Sequence, residues 1–126
     1  MIRIPDPGRF ELRLMDGSAN PYLLQASVLA AGLNGLKHKI NPGEPLNCNM
    51  YTDYKKYPDL PKLPNELKES LELLRNNKEM NDAFGKETIN SYIKLRKSEI
   101  NEFENVENFD KSKPVTQWER QNTLDC

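Results

Sequence analysis

Arg9-Phe10-Glu11-Leu12-Arg13-Leu14 alternates without a break. On a β-strand successive side chains point to opposite faces, so this spacing puts Phe10, Leu12 and Leu14 on one face and Arg9, Glu11 and Arg13 on the other. The apolar face suits a core. The charged face holds one carboxylate between two guanidiniums. Glutamate offers hard oxygen ligands to a divalent cation, and arginine offers a planar fork for carboxylate or phosphate. The same trio also fits a plainer reading, a solvated strand face with surface ion pairs, because charged side chains mostly face water.

Upstream, Ile2-Arg3-Ile4 alternates, and Pro5-Asp6-Pro7-Gly8 is turn chemistry, with φ fixed by proline and left-handed φ open to glycine. Residues 2–14 therefore read as a hairpin that brings Arg3 near the charged face of the second strand. Downstream, Asp16-Gly17-Ser18 turns the chain. Asn20-Pro21 then opens a helix, with Asn as N-cap and Pro at the first helical position, where a missing N–H costs nothing. The helix is expected to run to about Ile40. It is apolar nearly all round between Leu23 and Leu33, the pattern of a buried helix. Gly32 and Gly35 would allow close backbone packing, and His38, the single histidine, reads as a helix-end residue rather than a metal ligand.

Residues 9–23, through Met15-Asp16-Gly17-Ser18-Ala19-Asn20-Pro21-Tyr22-Leu23, resemble a signature of the glutamine synthetase family, in which an Arg-x-Glu-x-Arg strand leads through Asp into Ala-Asn-Pro-Tyr and a long helix. The likeness continues through Ala31-Gly32-Leu33-Asn34-Gly35-Leu36-Lys37-His38-Lys39-Ile40 and Pro42-Gly43-Glu44. It is greatest to the type III branch, which includes enzymes making γ-glutamylmethylamide. It is dense over residues 2–45, thinner over 65–104, and rests at the tail on Trp118-Glu119 and Leu124-Asp125-Cys126.

The resemblance implies an ATP-dependent ligase. Such an enzyme phosphorylates the γ-carboxylate of glutamate, and ammonia (or methylamine) then displaces the phosphate. It implies Glu11 as a ligand of the Mg2+ or Mn2+ that bridges the nucleotide phosphates, Arg3 and Arg9 toward ATP, and Arg13 on the substrate carboxylate or the transferring phosphoryl group. It implies a homo-oligomer in the cytoplasm. Many family members carry a longer hairpin turn with a lysine that meets the nucleotide; here only Asp6-Pro7-Gly8 separates Pro5 from Arg9. One carboxylate does not complete a metal site, and the family's other ligands lie upstream of the matched region. The chain is thus expected to be the C-terminal part of a catalytic domain, inactive alone. A non-enzymatic helical module that binds synthetase subunits is the alternative.

The expected fold class is α+β: a short antiparallel hairpin (2–14), a long buried helix (20–40), a connector (41–64), further helices (65–104) and a tail (105–126). The connector carries Pro42, Pro45, Pro58, Pro61 and Pro64, with Tyr51, Tyr54 and Tyr57 at every third position, a spacing suited to packing on a neighbouring surface. Asn65 is expected to cap a helix over 66–75 with Leu67, Leu71 and Leu74 on one face. A short helix is expected around 78–84 and a long one from about Glu87 to Glu104, whose face is Ile89, Tyr92, Ile93, Arg96, Ile100 and Phe103. Thr116-Gln117-Trp118-Glu119 is a capping box, and Trp118 needs a surface, which another subunit could supply.

The 126 residues suffice for one domain, and the net charge of −1 gives no bulk attraction to nucleic acid or an acidic membrane. No apolar run approaches membrane-spanning length, and no secretory leader is evident. Cys48 and Cys126 lack metal-ligand spacing and suit a reducing compartment.

Overall fold

The computed structural model describes residues 2–15, 17–106 and 115–122. Two strands pair antiparallel, β1 (Ile2–Asp6) and β2 (Arg9–Leu12), around a turn in which Gly8 takes φ +79°. Among the described residues six α-helices follow: α1 (Pro21–Lys37), α2 (Met50–Asp53), α3 (Leu67–Asn76), α4 (Lys78–Phe84), α5 (Lys86–Glu104) and α6 (Gln117–Asn122). The expected class, a hairpin followed by helices, is the one observed.

The register pairs Ile2 with Leu12 and Arg3 with Glu11, then shifts so that Asp6 faces Arg9. Among the described residues β2 runs to Leu12, two residues short of the expected strand. The apolar face is covered only in part: Phe10 and Leu14 are exposed, and Leu12 is half-buried.

α1 starts where the sequence places it. The Asn20 side chain accepts from the N–H groups of Tyr22 and Leu23, both at 3.1 Å, and Pro21 is the first helical residue. It ends at Lys37 rather than near Ile40. The Ile40 N–H returns to the Gly35 carbonyl and the Lys39 N–H to that of Leu36, while Lys39 takes φ +50°. This is a Schellman ending, built with lysine where glycine is usual. Within this chain the helix is not the buried element its composition implies, since none of its residues is fully buried. One side packs on α4; on the other, among the described residues, Leu29, Leu33 and Leu36 are exposed. A Cβ added at Gly32 or Gly35 would meet no described atom within 4 Å beyond the adjoining helix backbone, so neither glycine makes a close packing contact there.

The core lies in the helices that follow. Leu71 of α3 and Ile89 and Ile93 of α5 are buried, with Leu74, Phe84, Tyr92 and Ile100 packed around them. They are on the faces that the three- and four-residue spacing selects. Gly85, at φ +80°, ends α4 and starts α5, a reversal that glycine makes without steric cost. Arg96 of α5 stacks over the Tyr92 ring at 5.4 Å and pairs with Glu99 at 2.6 Å.

Three local expectations need correction. Glu66, not Asn65, is the N-cap of α3; the Asn65 N–H instead donates to the Glu69 carboxylate at 3.2 Å. The connector is partly helical, holding α2 and a 3-10 turn at Tyr54–Lys56; Tyr51 and Tyr54 remain exposed, while the Cys48 thiol raises the pKa of the half-buried Tyr57 phenol. Trp118 finds its surface in the same chain, meeting Phe103 edge to face with centroids 5.3 Å apart. The capping box forms: Thr116 N–H donates to Glu119 Oε2 at 2.6 Å, and the Glu119 N–H returns to Thr116 Oγ1 at 3.2 Å. Most of the expected loop at 105–113, and the tail residues Leu124, Asp125 and Cys126, lie outside the described residues. Among the described residues no helix is long and apolar enough to cross a membrane.

Candidate functional site

The hairpin gathers four charged side chains on one face. Arg9, Glu11 and Arg13 share it through the two-residue period of the strand, and the antiparallel register sets Arg3 directly opposite Glu11. Glu11 is the hub. Arg9 Nη2 donates to its Oε1 at 2.8 Å. Arg13 donates to Oε2 through Nε at 3.1 Å and Nη2 at 2.9 Å. Arg3 Nη1 reaches the same oxygen at 3.4 Å. The Glu11 side chain is 27% exposed, whereas each arginine is more than half exposed. The guanidiniums thus wall in the carboxylate while keeping donors open to solvent.

Three positive charges around one negative leave the cluster with an excess of two, so a further anion is electrostatically welcome. Exposed ion pairs of this kind add little to stability, and the arrangement matters for what it can bind. The hydrogen bonds from Arg9 and then Arg13 hold the Glu11 pKa below its ordinary value; desolvation opposes them, and the charges of Arg3 and Arg13 add smaller lowering effects. The linkage has a definite sign. A carboxyl that titrates lower when folded supports the hairpin fully above the unfolded value of about 4.3, and that support fades as pH falls through the lowered one. An NMR titration of the Glu11 side chain from pH 6 to 2 should give a midpoint below that of an unstructured glutamate. A midpoint at or above it would show that the cluster does not hold in solution.

A divalent cation of the magnesium or calcium type takes six or more oxygen ligands. Among the described residues no group of three or more His, Cys, Asp or Glu side chains could hold one. Both oxygens of Glu11 are already taken by guanidiniums. The residues of this chain do not by themselves fit a metal site; Glu11 can at most supply one ligand. The sequence-predicted residues Arg3, Arg9, Glu11 and Arg13 do come together. Alternation alone could not reveal that Arg3 would share the same carboxylate, because that contact is set by strand register.

Comparison with known proteins gives a consistent result. Residues 1–122 match the family described as glutamine synthetase, catalytic domain. A glutamine synthetase of Rhizobium meliloti is 44% identical over 125 residues, covering 99% of this chain and 27% of the relative. One of Methanosarcina mazei is 36% identical over 113 residues, covering 84% of this chain and 25% of the relative. A solved structure, a GmaS/ADP complex, superposes with a TM-score of 0.79 at 36% identity, covering 100% of this chain and 27% of the other. The chain therefore spans about a quarter of the length of the relatives it matches.

Proposed function

The chain belongs to the glutamine synthetase catalytic-domain family, and from that premise we propose that it supplies one wall of the nucleotide and phosphoryl-transfer site of an ATP-dependent glutamate–amine ligase. The observation that carries the reading is the cluster of Arg3, Arg9 and Arg13 around Glu11, with its excess of positive charge. Phosphoryl transfer depends on positioning and on neutralising charge rather than on covalent chemistry by the protein. Guanidiniums on a rigid ribbon suit that task. Arg3 and Arg9 face the nucleotide phosphates. Arg13 takes the substrate carboxylate or the transferring phosphoryl group, and Glu11 holds the three guanidiniums in place. Glu11 would offer one carboxylate to a Mg2+ or Mn2+ brought with ATP, whose remaining ligands would come from outside these residues. The bound ADP of the solved relative supports the nucleotide assignment. The acceptor is ammonia or methylamine, and the working enzyme is a homo-oligomer in the cytoplasm.

Arg13→Lys is a discriminating test, made in a complete synthetase carrying this segment. Lysine keeps the charge but loses the two-nitrogen fork that grips Glu11 Oε2. Phosphate release with glutamate, ATP, magnesium and either amine should fall by roughly tenfold or more, the order expected for a lost charge-assisted hydrogen bond. Activity equal to the parent's with both amines would remove Arg13 from the site.

A further inference from the structure

α3 and α5 pack side by side, and charged residues run along their seam. Lys68 pairs with Glu104 at one end. Further along, Arg75 of α3 and Asn90, Lys94, Lys97, Ser98 and Asn101 of α5 line a groove of about 510 Å³ beside the buried Ile93. Asn90, Lys94, Lys97 and Asn101 recur at intervals of four, three and four, which puts them on one face of the helix. The residues one turn from Lys94 are Asn90, Ser91, Lys97 and Ser98, so no helical neighbour offers it a carboxylate. Among the described residues Lys94 makes no ion pair. Two lysines one turn apart repel each other and disfavour the helix. Glu72 is shared between the other two cations through a single oxygen: its Oε1 is 3.3 Å from Lys97 Nζ and 3.5 Å from Arg75 Nη1. The groove thus holds an excess of two positive charges on a chain whose net charge is −1.

We propose that the α3–α5 groove binds a small dianion, a metabolite carrying a phosphate or a pair of carboxylates. None of the hairpin arginines lines it, and the inference does not rest on the ligase reading. The volume lies within the range of about 300–1,000 Å³ usual for small-molecule sites. The donor set suits an oxyanion. Arg75 brings a planar fork and the two lysines bring point charges, while the side-chain amides of Asn90 and Asn101 add neutral donors. A bound dianion would cancel the excess charge and relieve the repulsion between Lys94 and Lys97. The ends of the groove favour a short ligand over a polymer. Glu102 and Glu104 stand just beyond Asn101, and Glu102 Oε1 accepts from Ser98 Oγ at 3.5 Å. An acidic peptide or a nucleic acid running past the lysines would meet these carboxylates.

The test titrates the isotope-labelled 126-residue chain with inorganic phosphate and, separately, with succinate, and follows each residue by NMR against sodium chloride at matched ionic strength. The expected result is saturable shifts of the Asn90 and Asn101 side-chain amides and of the Lys94–Ser98 backbone, with a dissociation constant of ~1 mM or tighter for at least one dianion. Saturation by one and not the other assigns the ligand as phosphate or dicarboxylate. The double variant Arg75→Gln/Lys94→Gln should weaken binding by about tenfold or more, the order for lost charge-assisted contacts, with helix content unchanged because both residues are exposed. Glu72→Gln should tighten binding, since it removes the carboxylate that competes for Arg75 and Lys97; a purely structural role for Glu72 would not do so. Lys68→Gln, on the same seam but outside the groove, should leave the affinity unchanged. Several results would overturn the proposal: no saturable shift with either dianion, equal shifts with chloride, an unchanged affinity in the double variant, or weaker binding by Glu72→Gln. Tighter binding of an oligoglutamate peptide than of either dianion would also overturn it, assigning the groove to an acidic partner. Shifts confined to Arg3, Arg9 and Arg13 would overturn it as well while leaving the ligase reading intact.

Discussion

Glu11→Gln, placed in a complete synthetase that carries this segment, is expected to lower turnover by about a hundredfold or more, the order seen when one preorganised electrostatic contact is lost from an active site. Glutamine keeps the length and shape of the side chain but removes its charge. Arg9 at 2.8 Å and Arg13 at 2.9 Å now hold the carboxylate through charge-assisted bonds. With an amide in place, one of the two terminal atoms is an N–H2 group that cannot accept from a guanidinium. At least one arginine is then released, and Arg3, already at 3.4 Å, loses the charge that draws it. The cluster also loses its carboxylate, the group assigned to the cation. The assay is phosphate release with glutamate, ATP, magnesium and ammonia or methylamine. The isolated 126-residue chain should show no turnover in the same assay. Near-parental turnover by the full-length Glu11→Gln enzyme would remove Glu11 from the mechanism, and turnover by the isolated chain would overturn the reading that its site needs further residues.

Ile93→Ala is expected to cost about 2–5 kcal/mol, the usual range for emptying a buried aliphatic site. The proportion matters more than the figure. Among the described residues only Leu71, Ile89 and Ile93 are buried apolar side chains, so this core starts near the low end of the 5–15 kcal/mol typical of domains. Deleting one of three central side chains should leave little or no cooperative unfolding transition in urea followed by far-UV circular dichroism. Leu95→Ala, in the same helix but exposed, should change stability by no more than about 0.5 kcal/mol. A transition for Ile93→Ala within about 1 kcal/mol of the parent would mean that the helices are held together elsewhere.

Several features closed by bonds between residues two to four apart were legible in the sequence, although the Glu66 cap of α3, equally local, was not. The Asn20-Pro21 start of α1 needs only Asn20, Tyr22 and Leu23, and it forms. The Thr116–Glu119 capping box needs four consecutive residues, and it forms. Alternation put Arg9, Glu11 and Arg13 on one face because the strand period is fixed by covalent geometry. Where the partner is distant in sequence, the pattern indicated a face but not the contact: the hairpin put Arg3 near the charged face, and strand register made Glu11 its partner. Trp118 met Phe103 of its own chain, a contact that no local pattern encodes.

The charged cluster and α1 mark the same division. Composition made α1 apolar on nearly every side, which determined that it must be covered but not by what. Only the tertiary structure decided that α4 covers one side and leaves the Leu29–Leu33 side open. Likewise the sequence determined a face bearing a carboxylate between arginines, and strand register decided that Arg3 would be the third guanidinium on it. Periodicity specifies the direction of a side chain relative to its own backbone; what it meets depends on which elements pack against it.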